Sequence, residues 1–573
     1  MMIRPSYLAI TLTLLLSPLS HADSTNLETI KRWVDKEFLH STLSKEEQID
    51  ELIWLSNAAK PYDGLSIRVV SENIATHTYE SNVLAKAFSE ITGIHVVHEI
   101  TEEDDLVKKM QLQLDTGINL YDSYVNDADF IGTHYRYDKT ISISAKMDGD
   151  WQAITSPTLD IEDFIGIESV KGLDNEIYQL PTQQFANLYW YRKDWFERPD
   201  FRDEFQQFYG YQLGVPQNWA AYEDIADFFT NRVKHVDGEP VWGHMDYGLY
   251  DPSLGWRISD SWLSLAGVND QSVDNTSYKN SNFVGDWGIR VENCHPVGAS
   301  VSRGGALNSP AAIYAVEKYI HWLHDYAPPE AIKQNFSSSS ITLAQGNTAQ
   351  QIFWYTAFVP TLLNKKLIDD DGKPVWRLAP SPRGKYWKPG MKSGYQDISG
   401  WTFLRSTPEN KAQAAWLYAQ FVASKTVSMS KFLVGFTPIR QSDLDSNYLK
   451  SRSSEWGGLL EFYQSNARNS WTPTGLSVPD YAFLSSAWWQ HIGAALKKQR
   501  TVTEAMTDLA TEMDDRMALL SANTEMKCEP KIANKQSESR WINRNGAPWK
   551  QKAMDDKPVT LPYEEALLLW QKY

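Results

Sequence analysis

Residues 393–440, SGYQDISGWTFLRSTPENKAQAAWLYAQFVASKTVSMSKFLVGFTPIR, decide how this chain folds. They open on a short apolar strand, step through Ser-Thr-Pro, and continue as a helix. Ala414, Leu417, Tyr418, Phe421 and Val422 share one face of that helix at 3.6-residue spacing. Thr407 is placed to cap it and Pro408 to fill its first position, where a missing N–H costs nothing. A Gly-Phe-Thr-Pro-Ile-Arg turn closes the block. The stretch predicts one strand–helix unit packed on a core.

The same alternation runs upstream. Leu65, Ile67 and Val69 alternate as a first strand after the Pro-Tyr-Asp-Gly turn at 61–64. Val83, Leu84, Ala87, Phe88 and Ile91 line a helix that Gly93 can end. Residues 94–100 read as a second strand. Leu106, Val107, Met110 and Leu114 mark a second helix that stops near Gly117, and residues 121–125 form a third strand. Strands alternating with helices predict an α/β lobe with a largely parallel sheet, and ligands of such sheets sit at the carboxyl ends of the strands. Ahead of this lobe, residues 23–64 read as a helical extension with a Ser44/Glu47 capping box. Further on, residues 179–195 form an aromatic strand, Ser309-Pro310 starts a helix, and residues 345–358 give a Gly turn and an apolar strand. Thr501 with Glu504 caps a late helix; beyond residue 522 the composition shifts to Lys, Asn, Ser and Trp, an irregular surface tail.

At 573 residues the chain exceeds one ordinary core, so two or more lobes are expected. A net charge of −17 argues against nucleic acid and anionic membranes as partners. Residues 1–22 have the form of a secretory leader: Arg4, an apolar stretch over 7–16, Pro18, and a small-residue cleavage site at Ser20-His21-Ala22. With no Cys near that site, a lipid anchor is not expected. The two cysteines, Cys294 and Cys528, either pair in an oxidising compartment or stay separate buried thiols; sequence supplies no distance between them.

Catalytic motifs are scarce. There is no His-Glu-x-x-His, Gly-x-Ser-x-Gly or phosphate-cradling Gly-x-x-x-x-Gly-Lys. Ser428-Met429-Ser430-Lys431 fits Ser-x-x-Lys but lacks its Lys-Thr-Gly partner, and 369–372 is an acidic turn rather than a calcium loop. No metal or cofactor is expected. The positive signal is aromatic: 23 Trp and 28 Tyr exceed what a core needs. Most pack inside, but a flat ring beside polar side chains also suits the C–H faces and hydroxyl rim of a sugar or polyol.

Three blocks, in this order, resemble bacterial extracellular solute-binding proteins of the maltose-binding type, which serve carbohydrate ABC importers. Residues 345–354, QGNTAQQIFW, are similar to the family's Gly-Lys-x-Ala-Met-x-x-x-Gly-x-Trp block, with the second Gly missing. Residues 393–440 match the block that crosses between lobes, and 478–513 match the closing block through Trp488 and Thr-Val-Thr-Glu-Ala at 501–505. The size and the blocks QLPTQQFANLYWYRKDW and VGASVSRGGALNSP resemble a large glycerol- or polyol-type subgroup.

The resemblance implies an α/β, two-lobe Venus-flytrap (type II periplasmic-binding-protein) fold with N- and C-terminal extensions. Lobe 1 would comprise 65–182 plus 376–448 and lobe 2 would comprise 183–375 plus 449–521, with 522–573 as the tail. A periplasmic, monomeric protein would hold a small neutral polyol or sugar between the lobes and present it to a membrane permease. Loop position and residue type make His77, Tyr79 and Glu80 after the first strand, and Asn126 and Asp127 after the third, ligand-binding candidates. Gln184 and Asn187 at one crossing, Tyr395, Gln396 and Asp397 at the other, Trp219 and Tyr247 as walls, and Arg303 in its Gly-rich loop join them. Trp354 and Trp488 follow from the matched blocks. The competing readings are an anionic glycerophosphate in the same fold, a secreted carbohydrate-active enzyme, and a structural envelope protein.

Overall fold

The computed structural model describes residues 21–269, 282–354, 364–523, 525–542 and 556–571. The expected leader lies almost entirely outside them, as do residues 355–358 of the strand expected after Gly346.

Eight strands build one sheet: β1 (Ser66–Glu72), β2 (His95–Thr101), β3 (Ser123–Asp127), β4 (Leu180–Arg192), β5 (Gln350–Trp354), β6 (Trp376–Ala379), β7 (Gly394–Thr402) and β8 (Trp471–Thr472). Their order is β5-β4-β7-β3-β1-β2, with β6 also on β4 and β8 on β7. β1 runs parallel to β2 and β3, while β7 is antiparallel to both β3 and β4. The 13-residue β4 is the bridge. Its first half, up to Ala186, pairs with β7. From Asn187 onward it pairs with β5 and β6 instead.

Two apolar centres flank that bridge. One gathers Ile67, Val69, Leu84, Phe88, Trp401, Trp416 and Phe421. Ile30, Val34, Phe38, Leu52 and Leu55 of the N-terminal helices His21–Lys36 and Lys45–Ala59 close it from outside. The other gathers Trp190, Trp219, Tyr222, Trp262, Trp322, Phe353 and Trp376. The result is two α/β lobes joined by crossing strands.

Local signals hold in most places. The capping boxes Ser44/Glu47 and Thr501/Glu504 form, Ser309 caps the helix Pro310–Asp325, and Gly93 ends its helix in the left-handed region at φ 78°. Three expectations need correction. Thr407 does not cap the helix Glu409–Ala423; Pro408 takes the cap position without a side-chain bond, and the Thr407 hydroxyl turns to Asn119 instead. The single helix expected there is two, because Ser424 is extended and a second helix, Lys425–Gly435, follows. Asn126 and Asp127 do not follow the third strand; they are its last two residues.

Cys294 and Cys528 are disulfide-bonded across 234 residues of sequence. The tail then runs along residues 290–303 through Lys531 N to Pro296 O (2.8 Å) and Ala533 N to Val297 O (2.9 Å). Further on, Thr560–Leu561 pairs with Val215–Pro216, and Trp541 and Trp570 are buried. Cys528→Ser should therefore cost about 2–5 kcal/mol of unfolding free energy. Urea melts check this: reductant should bring the wild type down to the variant's level and leave the variant unmoved.

Candidate ligand cleft

A cleft opens where the carboxyl ends of β1 and β3 meet the middle of β4. One wall carries Glu72 at the end of β1 and Ile74 just past it, Glu103 at the start of the helix Glu103–Thr116, Asp127 at the end of β3 and Asp129 in the turn after it, and Gln183, Phe185 and Tyr395 of the crossing strands. The facing wall carries Trp256 and Asp260 from the helical segment 252–262, Phe336 and Tyr481 at helix starts, and Trp354 at the end of β5. Among the described residues, neither wall includes a Lys, Arg or His. Among the described residues no set of three or more His, Cys, Asp or Glu is arranged for a metal ion.

The rings form a corner. Trp354 meets Tyr395 edge-on at 6.5 Å and Phe336 at 5.7 Å, and Tyr247 stacks behind it at 6.4 Å. The acids are tied into the backbone and to hydroxyls. Asp129 Oδ1 accepts from Thr474 N (2.9 Å) and Thr474 Oγ1 (2.8 Å), and Asp129 Oδ2 accepts from the Tyr395 hydroxyl (3.1 Å). Asp127 accepts from Ser399 Oγ at 2.6 Å. Burial pushes Asp127 up to about 7, helped by the nearby Asp129 and opposed by the Ser399 bond. Burial first, then neighbouring carboxylates, hold Glu72, Glu103, Asp260 and Asp397 well above the usual carboxylate range. Grouped carboxyls raised by burial and by one another inside a cleft are a signal of a functional site.

Asp129 owes its position to a close backbone approach. A Cβ on Gly475 would sit 2.2 Å from the Asp129 carbonyl oxygen, and one on Gly132 would sit 2.3 Å from that of Gly475. Gly475→Ala should push Thr474 off Asp129 and weaken ligand binding by about 1–3 kcal/mol, the cost of an unpaired buried polar group. Titration calorimetry on a folded variant checks it.

Of the residues singled out by sequence, Asp127, Trp354 and Tyr395 line the cavity. Asp397 stands behind, its Oδ2 2.6 Å from the Tyr395 hydroxyl oxygen and its Oδ1 accepting from Ala128 N (2.9 Å). Tyr247 is buried behind Trp354 and donates to Ser253 O. Asn126 donates to His134, and Asn187 accepts from Arg257 Nη1 at 2.9 Å. Gln184 and Gln396 bond each other at 2.6 Å across the two crossing strands.

The rest lie in other surroundings. His77 is buried beside Glu72 O and, through burial first and Lys431 second, is held down at about 3. Tyr79 donates to Glu37, just past the helix His21–Lys36. Glu80 pairs with the buried Lys431. Trp219 donates to Pro382 O inside the second apolar centre, and Trp488 is fully buried beside Trp287. Arg303 binds Asp514 at 3.0 Å and the tail's Ala533 O.

Sequence reasoning passed over Glu103, Asp129, Gln183, Phe185, Trp256, Asp260, Phe336 and Tyr481. Glu72 ends β1 and Asp129 lies in the turn after β3, the carboxyl ends that the α/β pattern marks out, so position alone could have found them. Gln183 was one residue away: successive strand side chains point to opposite faces, and the cavity takes 183 and 185 rather than 184. Trp256 and Asp260 have no local signal.

Comparison with known proteins agrees with this architecture. The family model described as bacterial extracellular solute-binding protein matches residues 75–429, more than half of the chain. A curated erythritol/L-threitol-binding protein from Mycolicibacterium smegmatis is 21% identical over 404 residues, spanning 67% of this chain and 73% of its own. An ABC transporter solute-binding protein from Agrobacterium radiobacter, solved with ribitol, superposes with a TM-score of 0.59 at 17% identity, covering 79% of this chain and 99% of its own. One from Agrobacterium vitis with bound D-mannitol gives 0.57 at 15% identity, covering 79% and 98%. These structures share the two-lobe α/β fold. By the family match, this chain belongs to the bacterial extracellular solute-binding proteins.

Proposed function

We propose that the chain captures a small neutral polyol or sugar, with glycerol among the candidates, in the periplasm and hands it unchanged, as a monomer, to the permease of an ABC importer. The observation that carries this reading is the cavity wall: rings for C–H faces, and acids and Gln183 for hydroxyls, with no cation among the described residues. Asp127, Trp354 and Tyr395 are the proposed contacts, with Asp397 holding Tyr395. The lobes are taken as 65–182 plus 376–448 and 183–375 plus 449–521, and the change of partners along β4 near Asn187 supports a division there. A leader over residues 1–22 and closure of the lobes on the solute belong to the same reading. The similarity to proteins named for erythritol and L-threitol, and to structures holding ribitol and D-mannitol, supports the polyol class. A glycerophosphate would require clustered cationic donors, which the wall's described residues do not include.

Thermal shift with glycerol, erythritol, ribitol, D-mannitol, maltose and glycerol 3-phosphate tests the class. A bound ligand at a hundredfold excess over Kd adds about 2.7 kcal/mol of apparent stability. A neutral polyol should raise the melting temperature and glycerol 3-phosphate should not. A shift with the phosphate alone contradicts the reading.

A further inference from the structure

The carboxyls that line the cleft are Glu72, Glu103, Asp127, Asp129 and Asp260. All but one are held by the protein. Glu72 accepts from Gln183 Nε2 at 3.2 Å and Asp127 from Ser399 Oγ at 2.6 Å. Asp129 accepts from Thr474 N at 2.9 Å and Asp260 from Ser259 Oγ at 2.8 Å. Glu103 is the exception: among the described residues no group donates to its side chain. It opens the helix Glu103–Thr116 and is half-buried, so its oxygens stay within reach of the cleft. A carboxyl offers about four acceptor positions, and here none is filled.

The facing wall has groups in the same condition. Tyr481 is 2% exposed, yet its hydroxyl has no hydrogen-bond partner among the described residues, and Glu103 leads the acids that act on it. Trp354 Nε1, on a ring 4% exposed, is unpaired too. Buried phenol and indole groups ordinarily find a partner, so a wall that leaves two without one is shaped for a polar ligand. Tyr481 also lines the groove outside the cleft, together with Trp256 and with Asp104 and Val107 of the Glu103 helix. That helix touches the helix Tyr481–Leu496. Glu103 and Tyr481 therefore stand on opposite walls at the mouth of the cleft. An acid set among four others with no donor of its own adds repulsion and no bond to the free protein, which is the mark of a group placed for function rather than for the fold.

We propose that Glu103 is the acceptor that reads the hydroxyl hydrogens of the ligand, and that the bound molecule bridges the walls from Glu103 to the Tyr481 hydroxyl, closing the mouth of the cleft. This rests on the polyol reading above. It narrows the ligand to one whose oxygens carry hydrogens: an ether oxygen or a phosphate oxygen without a proton has nothing to give to Glu103.

Titration calorimetry of the whole protein tests it, with the tightest of glycerol, erythritol, ribitol and D-mannitol, beside thermal melts without ligand. Glu103→Met keeps the length of the side chain and removes both oxygens, and it should raise the Kd at least about tenfold. Its ligand-free melting temperature should stay within about 2 °C of the wild type, because no protein bond is lost and the preference of a helix start for an acid is offset by the acids nearby. Tyr481→Phe removes only the hydroxyl and should raise the Kd about threefold or more, with melting likewise held. An unchanged Kd in Glu103→Met overturns the proposal while leaving the polyol reading intact. So does a ligand-free melting temperature lowered by several degrees in that variant, which would make the carboxyl a structural group. An unchanged Kd in Tyr481→Phe overturns the bridge between the walls. If none of the four polyols binds the wild type, the proposal and the polyol reading fall together.

Discussion

Trp354→Ala is expected to raise the Kd for the cognate polyol by about 30-fold or more, roughly 2–4 kcal/mol, the range of a buried aromatic hot spot. The ring is 4% exposed yet lines the cavity, and it forms the corner with Phe336 and Tyr395. Truncation removes the apolar shelf and leaves those rings without their neighbour. Trp354→Phe separates two effects: it keeps a ring but deletes the unpartnered Nε1, so it should lose only about 0.5–1.5 kcal/mol of binding. Titration calorimetry gives the affinities, and melting of the ligand-free variants controls for folding. An unchanged Kd in Trp354→Ala would remove this ring from the site.

The largest loss of stability should come from Arg257. Its side chain and that of Asp246 are both fully buried, with Arg257 Nε 2.8 Å from Asp246 Oδ1 and Nη2 2.8 Å from Oδ2. The same guanidinium reaches Asn187 Oδ1 at the crossing strand and Ile352 O on β5, and lies 5.1 Å from the Trp354 ring centre. Arg257→Met strands a buried carboxylate, which costs about 3–5 kcal/mol. Adding Asp246→Asn should recover part of that loss, because the pair fails as a unit. Urea unfolding of the two single variants and the double variant measures the coupling. Additive losses would mean the pair does not act together.

Much of the architecture was legible because it rests on local rules. The βαβ alternation over 65–125, the caps at Ser44, Ser309 and Thr501, and both crossing strands follow from side-chain period and turn chemistry. The cleft was less legible because its wall is assembled from distant segments. Asp129 and Asp260 meet only through Thr474, more than 200 residues away from Asp260. No spacing in the chain encodes that meeting. Asp260 sits in a helical segment between Pro252 and Trp262 that carries no motif. The Gln183/Gln184 choice failed for a different reason: the strand was placed correctly, but which of its faces meets the cavity depends on the partner strand. Ser424 shows the limit of helical periodicity, since apolar spacing continued past a residue whose extended backbone ends the helix.

The central claim is that this cleft holds a polyol reversibly and leaves it unaltered. Titration calorimetry of the protein with glycerol, erythritol, ribitol and D-mannitol, followed by NMR of the ligand recovered after prolonged incubation, tests it in one experiment. Saturable one-to-one binding of at least one of them, with the recovered molecule unchanged, is the predicted result. Heat without saturation together with a new product in the spectrum, or no binding to any of the four, would contradict it.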